Sequence, residues 1–159
     1  MRLSSPAFKD GDAIPFKYTD DGCNSSPPIR WHDVPENAAE LVLIVEDADA
    51  PREDPRIHWI VYKIPADSGG LPQGVPPHDQ LTTPPGALQG ANDFPSNHRI
   101  GYHGPAPSQG NGTHRYRFRL FALNEPLSLP PGAPLSTLYQ AMADHIVAET
   151  SFIAFYERP

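Results

Sequence analysis

Cysteine is almost missing from these 159 residues: Cys23 stands alone, which excludes an intrachain disulfide. Basic side chains are also scarce, with 12 Lys plus Arg against 19 Asp plus Glu and a net charge of −7. A chain of that sign repels nucleic acid and anionic membrane surfaces, so any anion it binds must be held by local groups. No run approaches the roughly 18 apolar residues that a membrane span requires. The N-terminal stretch Met1 to Asp10 lacks the apolar core of a signal peptide. The expected location is therefore cytoplasmic, and the sequons at Asn24 and Asn111 read as chance matches. Neither an internal repeat nor a linker divides the chain, so residues 1–159 are expected to form a single domain. Area scaling lets such a chain bury roughly 69% of its unfolded surface without disulfides or metals.

Proline, by contrast, is plentiful. Its 21 residues are well over twice the usual share of about 5%, yet they are scattered beside apolar runs rather than gathered in one block. That pattern predicts a loop-rich all-β protein. Leu41 to Asp47 is apolar on both faces and reads as a central strand, with Asp47 in register with Leu41, Leu43 and Val45. Ile57 to Ile64 is the next strand, with His58 in register with Ile60, Tyr62 and Ile64. From Arg115 the residues alternate: Tyr116, Phe118, Leu120 and Ala122 share one face, and Arg115, Arg117 and Arg119 the other. Counting back by two puts His114 on the inward face. Shorter strands are predicted at Ile14 to Tyr18 and Ile29 to Trp31, and a closing one at Ser151 to Glu157. Ala66 to His98 reads as a long Gly/Pro-rich loop, either a cover for a site or a solvated excursion. The spacing of Leu138, Ala141, Met142, His145 and Ile146 predicts a helix over Ser136 to Glu149.

Polar residues at strand ends are the chemistry-bearing candidates. Asp47, His58 and His114 would meet if their strand ends open on one cavity. The glycines at 104, 110 and 112 would leave bare amides able to converge on an anion, beside His114 and Tyr116. An equally open reading has His58 and His114 as core histidines satisfied by carbonyls, and Asp49 as the residue that holds its own turn. If Asp47 lies beside His58 or His114, its charge should favour the imidazolium there.

Six segments, taken together, resemble the phosphatidylethanolamine-binding protein family in its bacterial Raf-kinase-inhibitor-like branch. They run Asp20 to Trp31, Val45 to Pro51, Ile57 to Pro65, Gly90 to Phe94, Gly101 to Pro107 and Thr113 to Tyr116. The resemblance implies a mainly antiparallel, Greek-key-like β domain with a few short helices, one of them near the C-terminus. It also implies a pocket for phosphate-like anions, built from Asp47, Asp49, Pro51, His58, Gly104, Pro105, Pro107, His114 and Tyr116. The chain departs from the family pattern at Ala48, at Ser108 and in a longer loop over 109–112.

The resulting expectation is a non-enzymatic module for a small anion: phosphate, a phosphorylated headgroup or partner, or a carboxylate. It needs no cofactor and no metal, since no His-x-x-x-His pairing supports one. Cys23 lacks a catalytic context, and Ala106 to Gly110 misses the first glycine of a nucleophile elbow. The alternative is a regulatory protein that inhibits a kinase or a protease, its pocket modulating the binding surface. The sequence leaves the oligomeric state open, a homodimer included.

Overall fold

A computed structural model describes residues 1–159, the side chain of Asn97 excepted. Two antiparallel sheets carry the structure. The smaller has the order β1–β2–β5, from Arg2–Ser4, Ile29–His32 and Gly70–Leu71. The larger has six strands in the order β6–β7–β4–β3–β8–β9. Its members are β3 (Glu40–Asp47), β4 (Arg56–Pro65), β6 (Gln80–Thr82), β7 (Pro85–Gln89), β8 (His114–Leu123) and β9 (Ile146–Tyr156).

At β3 and β4 both faces of the large sheet are buried, which explains why these strands read as unbroken apolar runs. On one face Leu43, Val45, Trp59, Phe118 and Leu120 pack against Ile29, Trp31 and Leu71 of the small sheet. On the other, Val42, Ile44, Ile60 and Phe121 meet Leu138 and Met142 of the helix α1 (Leu135–Met142). Alternation in β8 falls as expected, with His114, Tyr116, Phe118 and Leu120 buried.

Three expectations are corrected. Ile14 to Tyr18 is not a strand: Ala13 makes a single bridge to Phe155, and Phe16–Tyr18 close one 3-10 turn after Pro15. The helix stops at Met142, because Ala143 is extended (φ −54°, ψ 141°) and Asp144 enters the left-handed region (φ 71°). Ile146 onward then belongs to β9, and His145 lies in the connecting turn with Nδ1 3.3 Å from the Asn124 side-chain oxygen. Residues 66–98 are not structureless either, for they supply β5 and the β6–β7 edge of the large sheet.

Two bulges interrupt the β3–β4 pairing. Leu41 pairs with Ile64 and Leu43 with Val61, which leaves Lys63 at φ 54° in an extra position. Val45 pairs with Trp59 but Glu46 with Ile57, so His58 is the extra residue of the second bulge. Strict alternation would have placed His58 with Ile60 and Tyr62. The bulge turns it instead to the face of Asp47 and Tyr116, where its ring meets Tyr116 edge-on at 5.3 Å between centroids.

Candidate functional site

The site lies where β3, β4 and β8 end on the face toward the small sheet. Asp47 terminates β3 with 4% of its surface exposed, and His114 opens β8 with 3%. His114 Nδ1 donates to Asp47 Oδ2 at 2.7 Å, while Asp47 Oδ1 accepts the backbone N–H of Asp49 at 2.8 Å. A carboxylate this deep needs such partners, since an unpaired buried charge costs several kcal/mol. The turn-holding bond expected of Asp49 is therefore made by Asp47.

Asp49 itself is a clamp on Arg115. It accepts from that residue's backbone N–H (2.8 Å), Nε (3.0 Å) and Nη2 (2.9 Å). The Arg115 bonds hold its carboxyl below the ordinary carboxylate range.

His58 docks on residue 103 through a reciprocal pair. Its Nδ1 donates to the His103 carbonyl at 2.6 Å, and the His103 N–H donates to the His58 carbonyl at 2.9 Å. A carbonyl can only accept, so the proton of neutral His58 sits on Nδ1 and its Nε2 is an acceptor. Burial pushes the His58 pKa down to about 3, the His103 carbonyl opposes this, and nearby His103 and Arg56 add to it. Of the two histidines considered as neighbours of Asp47, it is His114 that pairs with it, and desolvation decides the charge of His58.

Between these groups lies a cavity of about 130 Å³. Asp47, His58, His114, Arg56 and Phe94 line it, closed by Ala50, Pro51 and the segment Ala106 to Ser108. Of the residues singled out in the sequence, Asp47, Pro51, His58, Pro107 and His114 meet in this wall. Tyr116 lies beneath it, 1% exposed, its ring 6.5 Å from that of His114. The Tyr116 hydroxyl is buried without a hydrogen-bond partner among the described residues. Burial first, then the charge of Asp47, hold its pKa far above the ordinary phenol value, so it remains a neutral donor.

Gly104 and Pro105 do not reach the cavity. The Gly104 N–H is already taken by the Asn24 side-chain oxygen at 2.6 Å, and the Pro105 carbonyl accepts from Asp20 N. Gly104 is needed for a different reason: a Cβ there would run into the Tyr18 carbonyl and lie 2.9 Å from Thr19 Cα. Gly110 and Gly112, at positive φ with open space beside them, are not among the residues that line the cavity.

Two residues of the wall escaped the sequence reading. Arg56 is the permanent cation among the lining residues, and its buried Nε has no hydrogen-bond partner among the described residues. Its guanidinium carbon lies 5.5 Å from the centroid of the Phe94 ring. Arg56 pairs with Asp47 across the sheet, and its spacing of two from His58 was the available signal. Phe94 closes one of the six segments that carry the family resemblance, and its place depends on Asp93, whose carboxylate accepts the Ile57 N–H at 2.7 Å.

A larger hollow of about 470 Å³ on the opposite face holds more arginines, but they are neutralised. Arg119 and Arg117 lie 2.9 and 3.4 Å from Glu46, and Arg52 lies 2.8 Å from Asp93. Arg117 also keeps a buried Nε without a hydrogen-bond partner among the described residues, but Glu46 offsets its charge, whereas no carboxylate forms an ion pair with Arg56 among the described residues.

The phosphatidylethanolamine-binding protein family model matches residues 4–157. The chain belongs to this family. A UPF0098 protein of Methanothermobacter thermautotrophicus is 44% identical over 99% of both chains. Among solved structures, the PEBP homolog CT736 of Chlamydia trachomatis is 40% identical, covering 99% of this chain and 97% of that one, with a TM-score of 0.85. Escherichia coli YbcL is 27% identical over 99% and 98%, with a TM-score of 0.88. In this family member, no described helix is long and apolar enough to cross a membrane.

Proposed function

We propose that the protein is a non-enzymatic binding module for small phosphate-type anions, held in the cavity between β3, β4 and β8. The observation that carries this reading is the unpaired Nε of Arg56 in the same small wall as His58 and His114. An arginine presents several fixed donors suited to tetrahedral oxyanions, and this one lines the cavity without an ion-pair partner among the described residues. Family membership supports the reading.

The affinity should be modest. A few polar groups around one small ion supply about 4 kcal/mol, which corresponds to a Kd near 1 mM. Titration with inorganic phosphate, followed by NMR, should move the amides of Asp47 to Ala50, Arg56 to His58, Ala106, Ser108 and His114. Arg56→Gln should weaken binding by about tenfold, the worth of one charge-assisted hydrogen bond. If those resonances stay fixed while others shift, the location is wrong.

A further inference from the structure

We infer that the cavity selects oxyanions that still carry an acidic proton, namely hydrogen phosphate or a phosphomonoester monoanion, over sulfate and over phosphodiesters. The inference rests on the anion-binding reading above and sharpens it.

The wall is not uniformly donating. His58 spends its one proton on the His103 carbonyl, which leaves Nε2 as a lone pair. Asp47 is a carboxylate whose two oxygens already accept from His114 and from Asp49 N–H, with further lone pairs to spare. A fully deprotonated oxyanion set against these atoms would face two acceptors with nothing to share. Each such contact would bury an unsatisfied, mutually repelling pair. An anion bearing one P–OH group resolves the conflict: its hydroxyl donates to His58 Nε2 or to Asp47, and its charged oxygens accept from Arg56.

The charged and titratable groups around His58 bear on this from every packed element. Arg56 precedes it on β4, His103 lies parallel to it at 6.2 Å, and Asp47, His114 and Tyr116 come from β3 and β8. The positive neighbours disfavour a proton on Nε2, and burial does so more strongly. His58 therefore remains an acceptor across the pH range in which phosphomonoesters, with a second pKa of about 6, pass from monoanion to dianion.

The chemistry separates ligands that share a headgroup. O-phosphoethanolamine is a monoester with a titratable proton, whereas glycerophosphoethanolamine is a diester with none near neutrality. Inorganic phosphate and sulfate form the corresponding pair without an organic arm. Calorimetric titration of these four compounds at pH 6 and pH 8 tests the inference. At pH 6, phosphate should bind at least tenfold tighter than sulfate, and O-phosphoethanolamine at least tenfold tighter than glycerophosphoethanolamine. At pH 8 the preference for O-phosphoethanolamine should narrow as its monoanion is depleted, whereas phosphate should keep its advantage over sulfate, because the hydrogen phosphate dianion still carries one P–OH group. The order of phosphate and O-phosphoethanolamine then tells whether the free ion or a monoester is the better fit. His58→Asn keeps a donor toward the His103 carbonyl but removes Nε2, so it should flatten the phosphate-to-sulfate ratio.

Sulfate or the diester binding as well as its partner at pH 6 would overturn the selectivity while leaving the anion site in place. Absence of binding by all four compounds would overturn the anion site itself. The wild-type ratios decide the matter even if the variant does not fold.

Discussion

A single imidazole whose proton is committed to a carbonyl makes His58 a liability in acid. In the unfolded chain it titrates near 6.5, and in the folded protein near 3. The unfolded state therefore binds the extra proton between those values, and stability rises with pH across that window. The contribution is complete above about pH 6.5 and is lost as pH falls toward 3, by up to about 5 kcal/mol in the limit. His103, whose pKa is also lowered by burial, acts in the same direction. Denaturant midpoints measured from pH 7 to pH 4 should fall less in His58→Asn than in the wild type. Parallel pH profiles for the two proteins would show that His58 is not the buried neutral group described.

At the scale of elements, the long strands were legible and their interruptions were not. β3 and β8 show in the sequence because an apolar run or a strict alternation over seven or more residues has no other reading. The bulge at His58 leaves no mark in the residue types, yet it decides which face the imidazole joins. The overlong helix has a different cause: Leu138, Ala141, Met142, His145 and Ile146 continue a helical spacing straight through the left-handed turn at Asp144. Periods of 3.6 and 2 cannot be told apart over so short a stretch. Gly104 stands out in the sequence for its bare amide, whereas the structure needs it for close approach. Gly104→Ala should cost more than about 2 kcal/mol, because Tyr18 O, Thr19 Cα and Asn24 Oδ1 all lie in the way and two of them are backbone. Gly110→Ala, with open space around it, should cost only the roughly 1 kcal/mol of a left-handed backbone. Thermal unfolding of the two variants compares these costs, and equal losses would remove the steric explanation.

For the molecule as a whole, the register of β3 against β8 has a kinetic consequence. Asp47 and His114 meet across 67 residues of chain, and the cavity also needs His58 and the segment that carries Pro107. None of these groups can form even part of a binding site until the long-range pairing of the inner strands is complete. Loop-closure entropy makes that pairing late and slow. A ligand held there meets only the finished protein, never the partly ordered chain on the way to it. Saturating phosphate should then leave the refolding rate unchanged and slow unfolding by the factor 1 + [L]/Kd, with the whole of the added stability appearing in one arm of the chevron. Stopped-flow traces with and without 10 mM phosphate, about ten times the expected Kd, would read this as a roughly tenfold longer native lifetime. Acceleration of the folding arm would mean that the β3–β8 junction is assembled early, and the chain would then have a nucleus where its pocket is.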